Sequence, residues 1–116
     1  MKERLKKMSL ETIIVDCLEK VSAKDILIYD TRERSPFYDS MVIATVDSLR
    51  QADAVISYIE DDCMKNKFEL RKVEGRGSSW VLVDCNSVIV SVFTKEEREH
   101  FQIEKIYMDV PCKAIN

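Results

Sequence analysis

The order of patterns along the chain predicts an α/β (α+β) fold, with one mixed sheet of about five strands and helices packed on it. Three observations carry this: two amphipathic helix patterns with N-cap residues, short apolar runs between them, and a late hairpin pattern uninterrupted by any helix. The 116 residues are 46% hydrophobic and 34% charged, with 2 Gly and 2 Pro. That composition fits one folded domain over residues 1–116, since compact domains usually hold roughly 100 to 150 residues.

The first helix is expected over Leu10 to Lys20. Leu10, Ile13, Ile14, Cys17, Leu18 and Val21 recur at helical spacing behind Ser9, whose hydroxyl suits an N-cap. Residues 1–8, with Lys2, Arg4, Lys6 and Lys7 around Glu3, read as a flexible, solvated arm. Asp25 to Asp30 is a short apolar run bounded by charge, which predicts a strand buried on both faces. Pro36 turns the chain within Arg32 to Asp39, and Ser40 to Thr45 is the next strand. Ser48 and Gln51 form the S-x-x-Q capping box, so a helix starts there, with Leu49, Ala52, Val55, Ile56, Ile59 and Cys63 on one face. Phe68 to Glu74 can form a third strand, and GRGSS at residues 75–79 is a loop. Lys95 to His100 supplies a helical turn or two before an irregular tail containing Pro111.

Between loop and tail stands WVLVDCNSVIVSVF, residues 80–93, a hairpin that is apolar on both faces. A two-residue turn at Cys85-Asn86 would place Val83 opposite Val88, Leu82 opposite Ile89 and Trp80 opposite Ser91, with Asn86 at positive φ. Val81, Val83, Val88, Val90 and Val92 then share one face, which suits a helix-covered core. The other face carries Trp80, Leu82, Asp84, Ser87, Ile89, Ser91 and Phe93. An apolar centre with a Trp and a polar rim is the make-up of a protein-binding patch, and equally that of a face lying under another helix. Periodicity alone leaves both open.

Catalytic residues do not assemble. His100 is the lone histidine and sits among charges, Gly75-Arg76-Gly77 completes no phosphate-binding pattern, and Asp61 and Asp62 are adjacent on a helix and diverge as solvated carboxylates. Cys17, Cys63, Cys85 and Cys112 contain no C-x-x-C pair, so no metal site is expected and the thiols read as buried or idle. A formal charge of −3 gives no global attraction to nucleic acid. Without a membrane-length apolar run or a signal-peptide core, a cytoplasmic protein is expected.

Taken together, DILIYDTRE, DSMVIATVDSLRQADAV, WVLVDCNSVIVSVF and EEREHFQIEKIYMDVP carry a likeness in order, spacing and span. From about Leu10 to Pro111 the chain resembles the ribosomal silencing factor family, RsfS, also called Iojap. The resemblance implies a nucleotidyltransferase-like fold stripped of catalytic carboxylates, no enzymatic activity and no cofactor. It implies binding to large-subunit ribosomal protein number fourteen, a steric block to subunit joining, and reduced translation when nutrients are short. It permits a homodimer and leaves a nucleotide-binding or nucleotidyltransferase-like enzyme as the alternative.

Trp80 and Asp84 match the family's W-x-x-x-D, and Glu97 and Arg98 its E-[ES]-R, while Arg50-Gln51 matches an R-Q pair that the capping box also explains. The expected partner-binding residues are Trp80 as anchor with Leu82, Asp84 and Ile89 around it, then Glu96, Glu97 and Arg98, which read equally as a solvated helix face. The chain departs from the family at Asn86-Ser87, where a Gly-Asp turn is usual, and at Ser91, where a His is usual. Met108-Asp109-Val110-Pro111 stands where the family has a Gly-Asp-Ala-Pro-like tail.

Overall fold

The computed structural model describes residues 9–115; the expected basic arm at residues 1–8 lies outside them. Helix α1, Leu10–Lys20, starts as expected, with the Thr12 amide donating to Ser9 Oγ at 3.1 Å. Strands β1, Lys24–Asp30, and β2, Ser40–Val46, follow, then α2, Leu49–Lys65. Beyond them come β3, Lys72–Glu74, β4, Trp80–Asp84, β5, Val88–Thr94, and α3, Lys95–Phe101. A short 3₁₀-helix, Ile103–Tyr107, leads to β6, Cys112–Ala114. The sheet order is β3-β4-β5-β2-β1-β6, with β2 and β5 parallel and every other pair antiparallel.

A sixth strand joins the expected sheet of about five, and it corrects the expectation of an irregular tail. β6 pairs only Cys112, Lys113 and Ala114 with β1, and all three are exposed, so no apolar alternation marks it; main-chain pairing holds it at the edge. The expected double burial of Asp25 to Asp30 holds at its apolar centre, with Ile26 and Ile28 buried on the helix side and Tyr29 on the other. Lys24 and Asp25 are exposed at a register shift where Asp25 takes φ 51°, whereas all of β2 is buried, because β2 and β5 occupy the middle of the sheet.

Capping of α2 departs by one residue from the expected box. Ser48 Oγ accepts from the Gln51 amide at 3.2 Å, but Gln51 Oε1 accepts from the Asp47 amide at 2.7 Å, one residue before the cap. The Gln51 side-chain amide also donates to the Val21 carbonyl at 2.8 Å, stitching the start of α2 to the end of α1. Leu49, expected on the apolar face, is 44% exposed at the first position of α2. Asp62 is not a free carboxylate: it accepts from Lys20 Nζ at 3.3 Å and from Cys17 Sγ at 3.4 Å, tying the helices together. Burial and that thiol–carboxylate contact push the Cys17 thiol up to about 12, burial being the larger cause.

Helices α1 and α2 cover one face of the sheet. Ile13, Ile14, Leu18, Ile56 and Ile59 close on Val42, Val81, Val83, Val90 and Val92, all almost fully buried. The five valines of the hairpin thus serve the core, but by a register the turn chemistry did not predict. Trp80 stands opposite Phe93, Leu82 opposite Ser91, and Asp84 opposite Ile89, two residues away from the expected pairing. The turn sits one residue further along than expected: the Cys85 amide donates to the Val88 carbonyl at 3.0 Å, enclosing Asn86 and Ser87, and Asn86 takes φ 75° as expected. A slip of two residues preserves the alternation of a pleated strand, so each side chain keeps its predicted face.

Candidate partner-binding face

The opposite sheet face carries a second apolar cluster, built from Tyr29, Met41, Ile43, Ile89 and Phe93 of the strands. Ile103 and Val110 of the tail complete it, with Tyr38 and Tyr107 packed alongside. The tail therefore roofs the β1–β2 half of this face, while Trp80, Leu82 and Asp84 on β4 remain partly open. The reading of a face lying under another segment holds for the half the tail covers, and the β4 half stays partly exposed. Apolar spacing at Ile103, Tyr107 and Val110 follows a helical repeat, and that signal marks the covering segment in the sequence.

The roof is pinned from the loop before β2. Arg34 Nη1 donates to Asp109 Oδ1 at 2.8 Å and Nη2 to the Ile106 carbonyl at 3.2 Å. The Tyr29 and Tyr107 rings lie 5.0 Å apart, and burial foremost pushes both phenols up to about 12. For Tyr107 the hydrogen bond with Tyr38 adds to burial, and for Tyr29 the neighbouring Cys112 does. The folded state holds both rings protonated and their pKa values lie above the ordinary 10.0, so this contribution to stability is intact below pH about 10 and is lost as pH rises towards 12. Spectrophotometric titration should show two of the four tyrosines ionising only near pH 12, together with loosening of the tail. Ionisation of Tyr29 and Tyr107 near pH 10 with the fold intact contradicts this.

Trp80 is placed by the glycine loop before it. Gly75 has φ 80°, and Ser78 Oγ lies 2.6 Å from the Gly75 carbonyl oxygen and 2.9 Å from that of Trp80. A Cβ at Gly75 would collide with the Trp80 carbonyl oxygen. Gly75→Ala should therefore displace the start of β4 and cost about 2 kcal/mol, seen as a lower urea midpoint; an unchanged midpoint shows that the loop adapts. Arg76 pairs with Glu60 at 2.6 Å, so Gly75-Arg76-Gly77 acts as the strand connection expected of it.

The Trp80 ring stacks on buried Phe93 at 4.9 Å and 25°, and Phe101 of α3 tilts over it at 4.7 Å and 55°. Leu82 is half-buried beside it. Asp84, also half-buried, accepts from the Asn86 amide at 2.9 Å, which holds its carboxylate at the hairpin tip. Ile89 belongs to the same face but is only 9% exposed, so it backs the surface rather than forming it.

Glu96 is exposed and Glu97 half-exposed in the first turn of α3, where acidic groups favour the helix dipole. Arg98 is neither a solvated helix residue nor an open contact residue. It is 8% exposed and points inward, with Nε donating to Glu104 at 3.0 Å and Nη1 to the Asp25 carbonyl at 2.7 Å and Thr45 Oγ1 at 2.8 Å. It fixes α3 against β1 and β2. His100 is exposed, with its ring edge against Phe101. Among the described residues no group of three or more His, Cys, Asp or Glu side chains is arranged to hold a metal ion, and no helix is long and apolar enough to cross a membrane.

A family model described as ribosomal silencing factor during starvation matches residues 4–116. The chain belongs to the RsfS family. It is 32% identical over 101 residues to the ribosomal silencing factor RsfS of Haemophilus influenzae, covering 86% of this chain and 99% of that one. Identity to the RsfS of Bacillus subtilis is 35% over 95 residues, covering 81% and 80% of the two chains. A crystal structure of a Chromobacterium violaceum protein, 28% identical, superposes with a TM-score of 0.81 over 88% of this chain and 86% of that one. The mixed sheet with its helices is thus an RsfS architecture.

Proposed function

We propose that this RsfS-family protein docks the Trp80 face on large-subunit ribosomal protein number fourteen and blocks subunit joining by occupying the joining face. The observation that carries the reading is the open half of the second sheet face, where the tail stops short of Trp80, Leu82 and Asp84. An aromatic anchor with aliphatic support can supply affinity, while Asp84, Glu96 and Glu97 steer the face towards a basic protein and discourage loose contact with ribosomal RNA. A steric block needs occupancy and no chemistry, so the protein acts without catalysis or cofactor, in the cytoplasm, and lowers translation in starvation. A homodimer through the same face would compete with docking.

Light scattering of purified ribosomal subunits mixed at joining concentrations of magnesium tests this. Joining should fall in proportion to added protein and recover when excess isolated protein number fourteen is supplied. Undiminished joining at saturating protein overturns the reading.

A further inference from the structure

One polar atom of this face has no partner. Trp80 Nε1 is buried and donates to nothing, the only buried side-chain nitrogen or oxygen among the described residues left in that state. Buried N–H groups are almost always paired, because leaving one dry forfeits its hydrogen bond to water. The two rings against Trp80 differ in freedom. Phe93 is fully buried in the sheet, whereas Phe101 is 47% exposed and occupies the last position of α3. Its ring neighbours are Trp80 and His100, the latter exposed. Arg98 pins the helix backbone three residues earlier, so Phe101 can rotate about its own side-chain bonds while α3 stays in place.

We propose that Phe101 is a side-chain gate over Trp80, closed in the free protein and displaced on docking, when Trp80 Nε1 donates to an acceptor oxygen of the protein partner. The inference rests on the docking reading above. The partner must present a main-chain carbonyl or hydroxyl oxygen to the indole, next to a basic side chain that meets Asp84. A closed gate lowers the apparent affinity by the fraction of molecules in which it is open, so removing the gate tightens binding.

The test measures binding of dye-labelled protein to purified large subunits by fluorescence anisotropy, for wild type, Phe101→Ala, Trp80→Ala, and protein carrying the sulfur isostere benzothienylalanine at position 80. Phe101→Ala should bind about three- to tenfold more tightly. The isostere keeps shape but lacks the N–H; it should melt at or above the wild-type temperature and bind about tenfold more weakly. Because Trp80 is the sole tryptophan, acrylamide quenching of the free protein also reports the gate, and it should rise in Phe101→Ala. Weaker or unchanged binding by Phe101→Ala, with Trp80→Ala inactive, overturns the gate and leaves the docking reading standing. Wild-type binding by folded Trp80→Ala overturns the docking reading itself.

Discussion

Trp80→Ala is expected to abolish co-sedimentation with free large subunits while the sheet remains folded. Trp80 combines the largest ring on the open half of the second face with a rigid support, since Phe93 beneath it is fully buried. Truncating a central aromatic anchor typically costs roughly 2 kcal/mol or more of binding, about 30-fold in affinity. The same change removes stacking on Phe93 and Phe101, so a stability loss of about 2 kcal/mol accompanies it, less than for a core tryptophan because one flank is open. Circular dichroism separates the two effects. A folded Trp80→Ala protein that sediments with large subunits as wild type does removes Trp80 as the anchor.

Arg98→Ala is expected to give the largest stability loss of any surface-element substitution, about 3 kcal/mol. The change leaves the Asp25 carbonyl, Thr45 Oγ1 and Glu104 without their common donor. The bond to Thr45 Oγ1 lies in the interior, where a lost partner is not replaced by water, whereas the Asp25 carbonyl bond is only partly buried and Glu104 is partly exposed and rehydrates. Arg98→Lys should recover only part of the loss, because one ammonium cannot span three acceptors in the plane a guanidinium serves. Thermal melting checks both, with a fall of roughly 10 °C expected for Arg98→Ala. A melting temperature within about 2 °C of wild type, the range of an ordinary surface change, shows that α3 is held by its apolar contacts alone.

The prediction for Arg98 shows where reading the residues runs short. KEEREH has the composition of a solvated helix, and its charges carry no sign that one of them turns inward. Burial of Arg98 depends on Thr45 and Asp25 being brought beneath it by β2 and by the irregular start of β1, contacts 53 and 73 residues away in sequence. Phe101 escapes a sequence reading for the same reason: its role follows from the ring it covers, which belongs to the far strand of the hairpin.

Local chemistry was enough to set the helices, the N-cap residues, the central strands and the division of the hairpin into a valine face and a Trp80 face. Those features depend on periodicity and on hydrogen bonds within a few residues, and a two-residue error in register leaves them intact because the pleat repeats every second residue. Long-range packing settled the sixth strand, the inward turn of Arg98 and how much of the Trp80 face stays open. Each of these depends on which distant segment lies across the sheet, and the tail covers β1 and β2 but ends before β4. Alternation can show that a face is apolar; only packing shows whether the chain itself has enough length and the right path to cover it.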